Sequence, residues 1–277
     1  MTTASFAAQH LPNRCIIALQ GEQVVAFLHN LLTVELLQLQ SGQAVYGALL
    51  SPQGKILHDV FVIATDTGFF LDCAMVQAQG LLQKLLLYRL RAKIDIRLDP
   101  GHEVAVSPQA NLAGCCYADP RHHSIGFRSV IAAGSLAVGC GYDDARLAVG
   151  LADSDGDIGS GELFVHEANL DQLHGVSFKK GCYVGQEVVS RSHHRATSRN
   201  RILPVAFEGE IQRGTEIRSG DVRLGEMLSS HGGRGLALLR LDRLAETRLP
   251  LLAGLVQVHA SKPAWAKFEL SIPAVAQ

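Results

Sequence analysis

Apolar residues recur at helical spacing in two stretches of this chain and form short runs elsewhere, and that pattern predicts a sheet interrupted by helices. After an apolar strand at Cys15-Ile16-Ile17-Ala18-Leu19, the segment 24–36 places Val24, Phe27, Leu28, Leu31 and Leu32 on one helical face. Tyr46-Gly47-Ala48-Leu49-Leu50 leads into the turn Ser51-Pro52-Gln53-Gly54, and 56–63 returns as a mostly apolar strand, so a hairpin is expected. Residues 69–72 read as another strand and 77–88, carrying Leu81, Leu82, Leu85 and Leu86, as a second helix. From 101 to 149 the pattern weakens to apolar pieces at 104–106, 125–127 and 136–139. Beyond Arg201 it changes to short strands at 202–207, 215–218, 222–228, 235–241 and 255–259, separated by glycine turns, which predict a small closing β-barrel. The class is α+β.

At 277 residues, two or three domains sharing a core or cleft are expected. Hydrophobic residues make up 47% and charged residues 18%, which excludes global disorder. A net charge of −1 argues against a broad nucleic-acid surface and favours a small partner. No uncharged stretch reaches membrane-spanning length and the N-terminus lacks a signal pattern, so a cytoplasmic location away from membranes is expected. The six cysteines, Cys15, Cys73, Cys115, Cys116, Cys140 and Cys182, show no CxxC pair or zinc spacing and read as reduced thiols. Cys115-Cys116 is either redox-active or, the reading favoured here, a pair of small buried hydrophobes.

The densest chemistry lies in Lys180-Gly181-Cys182-Tyr183-Val184-Gly185-Gln186-Glu187. Cys182 follows Lys179 and Lys180, whose charge favours a nucleophilic thiolate, which makes Cys182 and Lys180 the candidate reactive pair. Gly181 and Gly185 permit close backbone approach, and 186–191 can start a short helix. Glu187 can accept paired N–H donors from a heterocycle, Gln186 can donate and accept, and Tyr183 can stack on a flat ring. Glu167 and Asn169 add polar groups upstream; Arg191, His193, His194 and Arg195 add them downstream. A tight structural turn with a buried Cys182, a capping Glu187 and solvated lysines accounts for the same residues equally well.

Other candidates carry less. Adjacent histidines on a strand, such as His193-His194, face opposite sides without a third ligand, so no metal site is expected there or at His122-His123. Asp153-Ser154-Asp155-Gly156-Asp157 resembles the start of a calcium loop but lacks its bidentate glutamate. Asp59 is either a buried functional carboxylate or an ordinary strand residue.

The runs Glu167-Ala168-Asn169-Leu170-Asp171 and Gly175-Val176-Ser177-Phe178-Lys179 continuing through Glu187 closely resemble the signature of the YgfZ family, folate-binding relatives of the glycine-cleavage T-protein. The resemblance extends through 27–33, 49–56, 88–93 and Pro263-Ala264-Trp265, most of the chain. It implies three domains around a central cavity, here 1–100, 101–200 carrying the motif, and a barrel at 201–277, binding tetrahydrofolate or a derivative. It further implies a monomeric accessory factor for assembly, maintenance or repair of iron–sulfur clusters. Its partners would be client enzymes, including radical-SAM tRNA-modifying enzymes, or cluster-assembly proteins. Cys182 would be its reactive group, with Lys180 beside it and Tyr183, Gln186, Glu187, Glu167, Asn169, Arg191 and Asp59 near the folate. T-protein relatives place a pterin-reading glutamate in an Arg-x-Glu-x-Gly segment. The matching stretch here has Ala148 at that position, leaving the role to another residue such as Glu167 or Glu187. A folate-dependent aminomethyltransferase using Asp59 and a non-enzymatic scaffold for cluster delivery are the rival readings.

Overall fold

The computed structural model describes residues 6–195 and 199–270, with the backbone alone at 194 and 195. Its first elements are β1 (Gln9–His10), β2 (Arg14–Gln20), α1 (Val24–Leu31), β3 (Ala44–Leu50), β4 (Ile56–Thr65), β5 (Gly68–Ala74), α2 (Ala78–Arg89) and β6 (Asp95–Leu98). Five of these strands make an antiparallel sheet in the order β3-β4-β5-β2-β6, with the expected β3–β4 hairpin at one edge. The next elements are β7 (His102–Ser107), β8 (Cys115–Ala118) and β9 (Phe127–Ala132). They build a second sheet, β1-β7-β9-β8, to which the first strand returns by pairing Gln9 with Val106.

After α3 (Tyr142–Val149) and one π turn at Ser154–Ile158, a long irregular run leads to α4 (Gln186–Arg195). The remaining elements are β10 (Asn200–Phe207), β11 (Glu216–Ser219), β12 (Val222–His231), β13 (Arg234–Arg240), α5 (Leu241–Glu246), β14 (Leu251–Ala253) and β15 (Val256–Ala260). Their strands close into a six-stranded barrel. The α+β class and the terminal barrel expected from the apolar pattern are therefore both present.

Three local expectations change. The first helix stops at Leu31 rather than running to 36, because the Thr33 N–H donates to the Ala48 carbonyl and draws the chain onto β3. Residues 125–127 split between a 3-10 turn ending at Ile125 and the start of β9 at Phe127. Residues 136–139 contribute only an isolated bridge between Val138 and His10.

Strand alternation divides the first sheet between two cores. Ile17, Leu49, Val60, Val62 and Leu71 pack under α1 and α2. Ile16, Tyr46, Leu50, Phe61 and Ile63 face inward to a core shared with the second sheet, α3 and the near side of the barrel. A third core fills the barrel.

The inward face also holds a buried ion network. Asp72 accepts at Oδ1 from Arg14 Nε at 2.6 Å and at Oδ2 from Arg128 Nη2 at 2.5 Å, which joins β2 and β5 of one sheet to β9 of the other. Arg121 forms a two-pronged pair with Asp119 at 3.1 and 2.8 Å, and the Tyr142 hydroxyl accepts from both Arg121 and Arg128. The guanidinium carbons of Arg128, Arg121 and Arg14 lie 4.1, 4.9 and 5.6 Å from the Phe61 ring centre, so the ring's negative face adds a cation–π contribution. Burial penalises the guanidinium charges of Arg14 and Arg128, but Asp72 together with the other acidic groups around them, Asp153 and Asp59 at Arg14 and Tyr142, Tyr117 and Asp119 at Arg128, holds both above the ordinary arginine value. Burial likewise pushes Asp119 up, but the charge and hydrogen bonds of Arg121 together with the charge of Arg128 reverse it, so this carboxyl titrates below the usual range.

Removing one partner of such a buried cluster strands the others. Asp72→Ala should lose about 3–5 kcal/mol of unfolding free energy in urea, a large share of the roughly 5–15 kcal/mol that folded proteins hold. An unchanged midpoint would show that the network does not carry the sheet junction.

Candidate functional site

The irregular run before α4 is fixed at three points, two on the chain around the end of α1 and one on the 51–54 turn. First, the buried Thr33 hydroxyl donates to the Gly175 carbonyl at 2.6 Å and accepts from the Ala48 N–H at 2.9 Å, while the Thr33 carbonyl accepts from the Ser177 N–H. Second, Lys180 turns inward and its Nζ donates to the carbonyls of His29, Leu32 and Val34, the latter two at 2.6 and 3.1 Å. A helix C-terminus leaves carbonyls without intrahelical partners, and a cation is the natural group to gather them. Third, Gly185 has φ +82° and sits where an added Cβ would come within 2.6 Å of the Ser51 carbonyl oxygen, so the loop presses against the 51–54 turn. Gly54 reciprocates, with φ +81° and Val188 of α4 above it.

Cys182 stands exposed between these fixings. Lys180 on one side is buried, and Tyr183 on the other is buried with its ring centre 5.0 Å from the Lys180 Nζ. Burial lowers the Lys180 pKa to about 8, partly offset by Glu35, and raises that of Tyr183 to about 12. The hydrogen bonds of Lys180 go to the end of α1, so its structural role is that of a clamp. Tyr183 presents its ring to that clamp and to the shared core. The thiol thus sits on a short, doubly fixed span with its sulfur toward solvent.

The other predicted site residues separate into groups. Glu187 and Arg191 pair with each other at 2.5 Å on the solvent face of α4, one helical turn apart, and Gln186 opens that helix half-buried. Glu167 accepts from the Phe164 N–H and from the Asn200 side chain, both at 2.9 Å. Asn169, in the left-handed region at φ +60°, donates to the Ile202 carbonyl and accepts from Arg201, which also grips Asp171 with both terminal nitrogens. Glu167 and Asn169 therefore tie the motif run to β10. Asp59 is elsewhere, on the inward face of β4. Its Oδ2 accepts from the Tyr46 hydroxyl at 3.0 Å and from Ser154 at 2.9 Å. Its Oδ1 is buried without a hydrogen-bond partner among the described residues. Burial raises the Asp59 pKa, and the Arg14 charge opposes the shift.

One sequence expectation is corrected here. His193 and His194 lie on α4, not on a strand, because the polar run 186–195 follows helical spacing once Gly185 has turned the chain. The His193 ring stacks on Phe178 at 3.9 Å, with His166 6.2 Å away; the side chains of His194 and Arg195 lie outside the described residues. The acidic turn 153–157 forms part of the interior scaffold: Asp157 accepts from Arg146 at 2.8 Å and Asp153 faces Arg14 at 3.8 Å. Sequence reasoning missed Thr33, Phe178 as a stacking partner, and the Arg14–Asp72–Arg128 cluster. Their significance comes from partners far along the chain, and no local pattern signals it.

Residues 199–268 match the family model for the CAF17 C-terminal β-barrel domain, the segment that closes into the barrel. Across 98% of its length the chain is 30% identical to the human iron-sulfur cluster assembly factor IBA57, mitochondrial, and it covers 85% of that protein. The chain belongs to the IBA57 family. A second member, the IBA57 homolog of Pyricularia oryzae, is 29% identical over 90% of this chain and 75% of its own length. The crystal structure of glycine cleavage system aminomethyltransferase T from Bartonella henselae superposes with a TM-score of 0.75. It covers 94% of this chain and 86% of that one at 16% identity, so the T-protein fold is shared. These relatives carry the IBA57 name, whereas the motif resemblance pointed to YgfZ.

The clamp can be tested apart from the thiol. Lys180→Met leaves the carbonyls of His29, Leu32 and Val34 without this donor. It should cost about 2–4 kcal/mol and speed amide exchange across 175–185. The folded Lys180 pKa, about 8, lies below its ordinary 10.5, so the folded state binds fewer protons between those values. The stability advantage of wild type over Lys180→Met should therefore grow as pH rises from 8 towards 10.5. A pH-independent difference in unfolding free energy would refute that coupling.

Proposed function

We propose that this chain is an accessory factor for assembling, maintaining or repairing iron–sulfur clusters in client enzymes, and that Cys182 touches the cargo. The observation carrying this reading is the exposed thiol on a short span held between buried Lys180 and buried Tyr183. A buried cysteine would be inert, and a thiol on a slack loop would lose its orientation; this one is reachable and aimed. One thiolate is too few ligands to keep a cluster, which ordinarily takes four protein ligands. The partner, a cluster-assembly protein or the client itself, must supply the others. That requirement makes Cys182 a transient contact during hand-over. The names of the relatives, iron-sulfur cluster assembly factors, support the same role.

Tetrahydrofolate or a derivative belongs to the proposal as the interior ligand. The fit rests on Asp59 Oδ1, a buried acceptor lacking a partner among the described residues, since a heterocyclic N–H is the kind of donor that would satisfy it. Asp59 would hold the ring there, while Tyr46 and Ser154 fix the carboxyl through its other oxygen. When bound, the folate supplies a one-carbon carrier; the chain's own part is to bind and orient it. Glu167 and Glu187, the alternatives to a pterin-reading glutamate, are engaged with Phe164 and Asn200 in one case and with Arg191 in the other. The folate reading therefore leans on Asp59. The shared T-protein fold supports it, and the same residue is what an aminomethyltransferase reading would use. Radical-SAM tRNA-modifying enzymes as clients, a monomeric state and a cytoplasmic location complete the proposal.

Two experiments separate its parts. In a deletion strain, wild type should restore an aconitase-type activity and a radical-SAM tRNA modification, whereas Cys182→Ser should restore neither although it folds and accumulates normally. Full complementation by Cys182→Ser would sink the thiol role and leave a scaffold. In calorimetry, Asp59→Asn should weaken tetrahydrofolate binding by roughly 10–100-fold, the worth of a hydrogen bond to a charged group. Equal affinity for both proteins would remove Asp59 from the ligand site.

A further inference from the structure

Away from the motif, two cysteines that the candidate site does not use face each other across the first sheet. Cys15 of β2 and Cys73 of β5 are direct partners in the antiparallel register, and their sulfurs lie 3.6 Å apart. Directly opposed residues on antiparallel strands have Cα atoms about 4.5–5.5 Å apart, inside the roughly 4.4–6.8 Å span that disulfides accept. The backbone is thus already placed, and side-chain rotation alone can close the gap.

The two thiols differ in a way that assigns roles. Cys15 is half-buried and reachable from solvent, while Cys73 is 1% exposed. The two sulfurs share a hydrogen bond that either can donate; it lowers the Cys15 pKa and raises that of Cys73, with burial adding to the latter. On the opposite face of the same two strands, Arg14 and Asp72 form the ion pair that joins the sheets. The thiol rung Cys15–Cys73 lies between the rungs Arg14–Ala74 and Ile16–Asp72.

We propose that Cys15 and Cys73 are a redox modification site, a dithiol that hydroperoxides convert to a cross-strand disulfide and that a reducing dithiol restores. Cys15, as thiolate, attacks one oxygen of hydrogen peroxide; the O–O bond breaks, and the departing hydroxide takes up a proton to leave water. Cys15 is now a sulfenic acid. Cys73 gives up its proton and attacks the Cys15 sulfur; the S–O bond breaks, the S–S bond forms, and the hydroxide released takes that proton to become a second water. Two thiols have lost two electrons and one peroxide has gained them. The bond would staple β2 to β5 at the rung beside the Arg14–Asp72 pair, fixing the strands that carry the sheet junction. This site is independent of the cluster-assembly reading and survives its failure.

The test uses the full chain, treated with hydrogen peroxide at neutral pH until the exposed Cys182 is oxidised, then denatured, alkylated, digested and mapped by mass spectrometry. The expected product is a peptide linking Cys15 to Cys73, two hydrogens lighter than its parts and reopened by dithiothreitol. Cys73→Ala should leave Cys15 as a sulfenic acid that dimedone traps, and Cys15→Ala should leave Cys73 unmodified. The proposal is overturned if Cys15 and Cys73 of the wild type are both recovered fully alkylated while Cys182 is oxidised. It is equally overturned if Cys15 oxidises beyond the sulfenic acid while Cys73 stays a thiol. The wild-type map decides the matter even if a variant folds poorly.

Discussion

Asp72, buried between Arg14 and Arg128, is the constraint around which the rest of the chain is arranged. Taking three charges out of water costs several kcal/mol per ion, and only closely directed hydrogen bonds offset that cost. Both carboxylate oxygens are therefore committed, one to a strand of each sheet. Arg14 extends the arrangement to Ser154 at 2.6 Å, and Ser154 in turn donates to Asp59. The position of the only predicted site residue on the inward strand face thus descends from an ion network that makes no contact with the motif. Phe61 backs all three guanidinium groups, so even the aromatic content of β4 serves the charge cluster.

The motif follows a similar logic at smaller scale. A loop that must present a side chain outward needs its backbone held from the other side, and here the holders are a lysine, a threonine and two glycines. Lys180 replaces the missing hydrogen bonds of a helix end, Thr33 bridges strand and loop, and Gly185 with Gly54 lets two turns touch. None of these acts on the sulfur. Their effect is to remove loop freedom, which is what distinguishes an aimed thiol from a merely exposed one.

The readable and unreadable parts of the sequence divide by the range of the interactions involved. The two helices, the hairpin and the barrel strands are local patterns of apolar spacing and turn residues, and they stood in the sequence much as they stand in the fold. The helix end at Leu31 did not, since apolar spacing runs on to Leu36 and only a contact with β3 stops it. Lys180 sits two residues from Cys182 and so reads as its activator, yet its ammonium binds carbonyls 146 to 151 positions earlier. Arg14, Arg128 and Asp72 carry no local signal in the sequence, because burial of a charge is visible only when its partner, 56 or 58 positions away, is placed beside it. Asp59 is undecided between functional and ordinary from its sequence alone, and its buried oxygen without a partner among the described residues appears only once the fold is formed.

Interior carboxylate and exterior thiol also differ in what they can hold. Asp59 is enclosed and half satisfied, and the role proposed for it asks for a small ligand polar enough to complete one hydrogen bond. Cys182 is open to solvent and supported from behind, which favours something large that arrives, binds through several ligands of which this is one, and leaves. A single chain that kept its cargo would need further thiolates, histidines or carboxylates converging on Cys182, and no such group of three or more metal ligands exists among the described residues. Holding and handing over place opposite demands on a site, and the role proposed for Cys182 is the second.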